Sequence, residues 1–471
     1  MIPIVTPDEM AGVDRAATEP VEVLIARAGF GVARAATRML GGTYGRRIVV
    51  VAGRGNNGGD GRAAAALLAG RGSSVRVLDA ASIGPGAALP ESDLVIDAAY
   101  GTGLSRPYSP PDPGRAQVLS VDIPSGLSGV TGRPVGEAGQ GTAVRADRTV
   151  TFAAYKPGLL IGDGPDLSGR VDVVGIGLRR LVDEVARAWL VTDEDVIRLL
   201  PTRPRETHKW VTAVAVVGGS PGMPGAPLLS AHGAMRAGAG YAIVAVPGSA
   251  PGGGLPPGEY VGRSLPGADW ASDAAESLSR ARAAVVGPGL GPGALGPGGE
   301  TGSGTPVARF LAVSELPAVV DADGLTALGD LPTLAKLAGA RSSPTVITPH
   351  EGEFARLTGK PPAEDRITDV RTVASETGAV VLLKGSTTVV ADPGGSVLVV
   401  NSGSPRLATA GTGDVLSGII AAFLARGLPG LEAAALGAHC HGRAAALGPS
   451  EGLVASDLPE LVSRWLSGIR S

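Results

Sequence analysis

Four short stretches bring together side chains in combinations that chemistry uses. "GRGNNGGDG" sets Asn56, Asn57 and Asp60 among glycines, "DAAYGTGLSRP" carries Asp97 and Arg106, "VDIPSGLSGVTG" carries Asp122 and Ser125, and "ATAGTGDVLSG" carries Thr409 and Asp414. In the first, Gly53, Gly55 and Gly58 spell G-x-G-x-x-G behind a run of valines, the fingerprint of a turn that takes a dinucleotide pyrophosphate on a helix N-terminus. Asp60, expected in the first turn of that helix, would repel a pyrophosphate. The amides of Asn56 and Asn57 suit a ribose, an amide or a monovalent cation. Asp79, after the next strand, has the spacing of a ribose-binding acid. A hydride-carrying NAD domain and a simple tight turn with a satisfied cap both stay open on this loop alone. Asp97, Asp122 and Ser125 add carboxylate and hydroxyl oxygens, a set suited to a hard cation such as potassium and to a polyhydroxylated ligand. In the fourth stretch, Gly411 and Gly413 allow a tight turn into a helix. Its free N–H groups form an anion hole, and Asp414 is a candidate base beside a phosphate.

These residues need elements to hold them. From Ile48 onward, "IVVVAG", "SVRVLDA", "LVIDAAYG", "QVLSVDIPSG", "RTVTFAAYKPG" and "RVDVVGIG" alternate with alanine-rich segments, as parallel strands buried on both faces do. Ligands of such sheets bind at the carboxyl ends of the strands, where Asp97, Asp122, the loop from Gly53 to Asp60 and Lys156 are expected to converge. A charged, proline-bearing stretch from Val191 to Trp210 breaks the pattern. A second alternation follows, from "TAVAVVGGS" through "GYAIVAVPG", "AAVVGPGLG", "LPAVVDADGL", "TVITPHEGEF", "AVVLLKGSTTVVADP" and "SVLVVNSG" to the helix "GTGDVLSGIIAAFLARG". The chain therefore reads as two three-layer α/β domains, residues 1–190 and 191–471. "PGSAPGGGLPPGEY" and "GPGALGPGGETGSGTPV" read as surface loops or insertions.

Composition excludes several classes. A net charge of −3 offers no basic field for a phosphate backbone, so nucleic acid is not an expected partner. A single cysteine, Cys440, allows neither an internal disulfide framework nor a multi-cysteine zinc site. No apolar run approaches the roughly 18 residues of a membrane span, and no signal-peptide pattern opens the chain, so a cytoplasmic protein is expected. His439 and His441 flank Cys440, but neighbours on a helix point to different faces, so a structural or near-site role is expected for them.

The three N-terminal loops resemble the signature loops of the NAD(P)H-hydrate epimerase family, which interconverts the R and S forms of hydrated NADH and NADPH. The resemblance implies a Rossmann-like fold in which Asn56, Asn57, Gly58, Gly59 and Asp60, then Gly101, Thr102, Gly103, Leu104, Ser105, Arg106 and Pro107, contact the hydrated cofactor together with Asp122. It also implies that Asn57, Asp97 and Ser125 hold potassium. The reaction asks for acid–base help at C6 of the hydrated ring, and Asp122 is the candidate.

"GTGD" resembles the ribokinase-like superfamily, whose aspartate deprotonates the hydroxyl that attacks a γ-phosphate. His350-x-x-Glu353 in "TPHEGEF" stands where many members carry N-x-x-E, the glutamate acting through magnesium-bound water. With "HKW", "GGSPGMPGAPLLSAHGAMRAGAG", "VVGPGLG", "DADGL" and "KGSTT" in order, residues 208–425 resemble the ADP-dependent NAD(P)H-hydrate dehydratases, which phosphorylate the C6 hydroxyl of the S hydrate and eliminate phosphate. By position, Ala226, Gly289, His350 and Asp414 are implied to face the hydrate, and Lys384, Gly385, Ser386, Thr387, Thr388 and Gly413 to hold ADP with magnesium, Asp414 being the base. Arg406 stands where a small or apolar residue is common, which implies a local difference in the nucleotide-side loop. The whole is then a fused repair enzyme acting on hydrated NADH and NADPH, expected as a homo-oligomer. Two competing readings are an ATP-dependent vitamin or sugar kinase with a non-catalytic N-terminal nucleotide-binding module, and an N-terminal half that only assists oligomerisation.

Overall fold

The computed structural model describes residues 1–136, 141–220, 223–249, 255–256, 258–267 and 269–470. Two compact units divide the chain, one from Ile2 to Ala188 and one from Trp189 to Ser471 together with Met1.

The first unit opens with α1 (Pro7–Ala16) and α2 (Val21–Leu40). Thr6 starts α1 through a capping box, its hydroxyl accepting from Glu9 N–H while Glu9 accepts from Thr6 N–H. Strands β1 (Arg47–Ala52), β2 (Ser74–Asp79), β3 (Leu94–Ala98), β4 (Gln117–Val121), β5 (Arg148–Phe152) and β6 (Arg170–Val174) pair in the order β2-β1-β3-β4-β5-β6, every pair parallel. The chain leaves β1 to one side for β2 and returns to the other side for β3, so a crevice opens at the carboxyl ends of β1 and β3. Burial on both faces holds for β1, β3, β4 and most of β5. It fails for β2 and β6, which lie at the two edges and lack a second neighbour to cover them. Helix α3 (Asn56–Gly70) packs across β1 and β3 at very short range. A Cβ on Gly61 would stand 2.5 Å from Ala98 Cβ, and one on Gly53 2.0 Å from the Ala99 carbonyl oxygen. The glycines thus bring the helix N-terminus down onto the sheet.

In the second unit, β7 (Ala213–Val217), β8 (Tyr241–Pro247), β9 (Val261–Leu265), β10 (Ala283–Val286), β11 (Ala318–Val320), β12 (Thr345–Ile347), β13 (Val380–Leu383), β14 (Thr388–Ala391) and β15 (Val397–Val400) take the order β15-β14-β13-β12-β11-β10-β7-β8-β9. The ladder is parallel from β9 to β13 and antiparallel beyond, because "LLKGSTTVVA" turns back on itself as a hairpin. Strand β9 had no sequence signal: "VGRSL" is an exposed edge with little alternation. Residues 250–254 and 257 of the first glycine-rich loop lie outside the described residues. Here the order reverses at β7, which places a second crevice between the ends of β7 and β10. Helix α4 (Gly225–Arg236) packs on α7 (Thr412–Ala425), whose Ile419, Ile420 and Phe423 are fully buried, each contributing about 1.5–3 kcal/mol of burial free energy. A Cβ on Gly418 would stand 1.9 Å from the Ser230 carbonyl oxygen, so this pair of helices packs backbone to backbone.

Candidate active sites

The crevice of the first unit is a pocket of about 970 Å³. Asn56, Asn57, Asp60, Asp122 and Lys156 line it, with the loop from Tyr100 to Arg106. The expected convergence of four strand ends is therefore present. Helix α3 begins at Asn56, with Gly55 as its cap, so Asp60 falls beyond the first turn and not within it. It is buried in the pocket wall, and burial, then the charges of Asp122 and Asp14, push its carboxyl up to about 8 against the pull of Lys156. Both amide atoms of Asn57, Oδ1 and Nδ2, are buried without a hydrogen-bond partner. Such orphaned atoms are free to take a ligand, an ion or a water.

Asp122 occupies the left-handed region at φ 66°, which a non-glycine residue adopts only when its surroundings hold it there. Its Oδ1 accepts from Lys156 Nζ at 2.6 Å and from Thr151 Oγ1 at 3.2 Å. Lys156 is 2% exposed and also donates to Thr151 Oγ1 and the Phe152 carbonyl, so a buried cation stands directly behind the carboxylate. Asp97, one step before the end of β3, accepts from Ser120 Oγ, Ser125 N–H, Ser125 Oγ and Ala99 N–H. Burial raises its carboxyl and these donors pull it back. Ser125 Oγ in turn accepts from Tyr100 N–H. Asp97 and Ser125 thus clamp the loop that starts at Tyr100 to β3.

The remaining positions divide. Gly101 lies beside Asn57 and Asp122, a Cβ there meeting Asn57 Cγ at 3.6 Å and Asp122 Oδ2 at 3.7 Å. Thr102, Gly103, Leu104, Ser105 and Arg106 line the pocket, Arg106 stacking over the Tyr100 ring at 5.7 Å. Gly58, Gly59 and Pro107 are not in the lining. Gly58 packs on the Gly53 carbonyl, Gly59 on Ile25, and Pro107 on Gly136 and Gly141.

In the second unit Asp414 stands in the first turn of α7, behind Gly411 in the left-handed conformation. Burial, then the charge of Asp321, push its carboxyl up to about 7, with Lys384 opposing and Asp323 and Glu353 adding to the rise. Ala226 and Gly289 meet across the β7–β10 crevice, a Cβ on Gly289 falling 3.1 Å from Ala226 Cβ, and Gly289 needs its glycine at φ 67°. His350 caps α5 (Glu351–Thr358), its Nδ1 accepting from Gly352 N–H and Glu353 N–H while Glu353 closes the box onto His350 N–H. Lys384 Nζ lies 2.7 Å from Asp321 Oδ1, beside Gly413, so it arrives at the anion hole already paired. Gly385 and Ser386 are exposed at the hairpin turn, Thr387 is buried, and Thr388 opens β14. Arg406 is accounted for by packing: Nη1 donates to the carbonyls of Ala445, Ala446 and Gly448 at the C-terminus of α8 (Gly430–Ala446). His439 pairs with Asp193 at 2.7 Å, while His441 is buried beside Thr412 at the start of α7 and feels the charge of Lys384, so the first has a structural setting and the second a near-site one.

A family model described as NAD(P)H-hydrate dehydratase matches residues 214–467, and one described as YjeF-related protein N-terminus matches residues 21–86 and 81–158. The bifunctional NAD(P)H-hydrate repair enzyme Nnr of Mycobacterium tuberculosis is 39% identical over 454 residues, 89% of this chain and 88% of that protein. The chain belongs to the bifunctional NAD(P)H-hydrate repair enzymes. The Mycobacterium leprae protein of the same name is 38% identical over 97% of this chain and 95% of its own length. Among solved structures, an ADP/ATP-dependent NAD(P)H-hydrate dehydratase from Bacillus subtilis, co-crystallised with ATP and magnesium, is 28% identical, with a TM-score of 0.47, over 59% of this chain and 97% of that one.

Four side chains of the repair enzyme sit at these sites without having been assigned a role from the sequence. Lys156 was expected nearby, but its pairing with Asp122 follows from a loop closing over β5. Asp14 reaches the pocket from α1, its carboxyl raised by burial and by Asp122 against the pull of Lys156. Asp321, in the quoted "DADGL", binds both Lys384 and Ser417 Oγ. Arg366 links Glu351 to the Lys384 carbonyl and covers Gly385. The sequence carried a signal for Lys156, which follows a strand, and for Asp321, an acid at a strand end in a quoted motif, but none for Asp14 or Arg366.

Proposed function

We propose that the chain restores hydrated NADH and NADPH in two steps, epimerisation of the R and S hydrates in the first unit and ADP-dependent dehydration of the S form in the second. The observation that carries the reading is the carboxylate set Asp60, Asp122 and Asp14 facing one buried lysine in a dinucleotide-sized pocket. Epimerisation at C6 needs one group to take the hydroxyl proton and another to return a proton as the ring opens and recloses. In this reading Asp122, held against Lys156, acts as the base and Asp60, protonated near neutral pH, as the acid, a division that the lysine beside one carboxyl and the burial of the other support. The orphaned Asn57 Oδ1 would hold potassium, with the oxygens of Asp97 and Ser125 that the family resemblance implies; the ion would supply positive charge for a ring hydroxyl or amide oxygen.

In the second unit Asp414 takes the proton of the C6 hydroxyl as it is phosphorylated, and phosphate then leaves where hydroxide would not. The free N–H groups at the start of α7 and Lys384 bind and orient the phosphates of ADP, while Ala226 and Gly289 shape the hydrate side. Among the described residues no group of three or more His, Cys, Asp or Glu is placed to chelate a metal, so magnesium here would be shared between carboxylates such as Glu353 and the nucleotide phosphates, neutralising their charge. The exposed ring of the helix cap His350 supports its assignment to the hydrate side. No helix among the described residues is long and apolar enough to cross a membrane. We assign the enzyme to the cytoplasm as a homo-oligomer, for which the exposed Val23 and Phe30, on one side of α2, offer an apolar face.

The test is to incubate both epimers of hydrated NADH with ADP, magnesium and potassium and follow the dihydronicotinamide absorbance. Full recovery is expected. Recovery that stops when the S form is exhausted removes the epimerase role, and no recovery with ADP or ATP removes the dehydratase role. Replacing potassium by tetramethylammonium is expected to slow only the R-form phase.

A further inference from the structure

The pocket of the first unit extends beyond the reacting end. Its wall includes Asp79, Ala80 and Ala81, which follow β2. Asp79 is the register partner of Ala52, the last residue of β1, so it stands next to the point where the glycine loop begins. Its Oδ1 accepts from Ala81 N–H at 3.0 Å, which fixes the carboxylate at the turn, and the side chain is exposed to the pocket. Among the described residues no cation pairs with it. In a parallel sheet, an acid at the end of the strand beside the glycine-loop strand faces the ribose of a bound dinucleotide. It accepts hydrogen bonds from a free 2′-hydroxyl and repels a 2′-phosphate.

We infer that Asp79 sets dinucleotide choice in the epimerisation pocket, favouring the hydrate of NADH over that of NADPH; this rests on the epimerase reading of the pocket. Arg54 is a side chain of opposite tendency in the same lining. It lies in the glycine loop and is exposed, and it is the cation that a 2′-phosphate would seek once the charge of Asp79 is removed.

The experiment uses the full-length enzyme without ADP and follows interconversion of purified R and S hydrates by chromatography, for the NADH and NADPH forms separately. Wild type is expected to show kcat/KM about tenfold or more higher for the NADH hydrate, the size of one charge-assisted hydrogen bond exchanged for repulsion. Asp79→Asn keeps the cap to Ala81 N–H while removing the charge, so the fold is retained. It is expected to narrow the ratio about tenfold, mainly by lowering KM for the NADPH hydrate. Equal use of the two hydrates by wild type, or an unchanged ratio in Asp79→Asn, overturns the role of Asp79 while leaving the epimerase reading intact. Failure of wild type to interconvert either hydrate overturns both.

Discussion

Lys156 Nζ and Asp122 Oδ1 are 2.6 Å apart, with the lysine buried and the carboxylate turned to the pocket from a left-handed backbone. A charge is thus held at a strained residue by a buried lysine whose one close ion pair among the described residues is this one. Removing one member leaves the other uncompensated. Asp122→Asn is expected to lower epimerisation by about 10²- to 10⁴-fold and to cost about 3–5 kcal/mol of stability. Dehydration of supplied S hydrate should persist. Chromatography of R and S forms beside calorimetry checks both halves, and unaltered R-form conversion would remove Asp122 from catalysis.

Asp60 predicts a stability that falls with pH. Its folded-state carboxyl, at about 8, lies above the unfolded value of 3.8, so the native state holds a proton that the unfolded chain releases. The associated stability is present below about 4 and is lost as pH rises towards 8. Asp60→Asn should therefore gain in Tm relative to wild type on going from pH 5 to pH 8.5, by about 2–4 °C per kcal/mol, while epimerisation drops. A Tm difference independent of pH would contradict the assignment.

The two activities should respond to pH in opposite directions. The acid Asp60 loses its proton near pH 8, so epimerisation declines above that value. The base Asp414 must be ionised, so dehydration in the free enzyme rises through about pH 7. Separate pH profiles of kcat/KM for R-form conversion and S-form dehydration test this.

Asp321 raises Asp414 and restrains Lys384, which would lower it. Asp321→Asn removes the first influence and frees the second. The acidic limb of the dehydration profile is expected to move below pH 7. A limb that stays in place, with only kcat reduced, would mean that Asp321 acts on packing alone.

Arg406→Ala should cost about 0.5–2 kcal/mol through three lost carbonyl partners at the end of α8, with KM for ADP unchanged. A raised KM would put Arg406 in the nucleotide site instead.

Local patterns in the chain decided a good deal. The alternation of valine runs with alanine-rich segments specifies buried parallel strands, glycines at strand ends mark where a helix must approach a sheet, and the identities at Asn57, Asp60, Asp97, Asp122 and Asp414 name the chemistry. These features are local, each set by a few neighbouring residues. The edge positions of β2 and β6, the antiparallel turn of β13 to β15, and the pairings Lys156–Asp122, Lys384–Asp321 and Arg406 with α8 join segments distant in the chain. So do the raised carboxyls of Asp60 and Asp414, which depend on burial and on charges brought from other elements. Strand order and desolvation exist only in the assembled fold, and they turn candidate residues into an acid, a base and their partners.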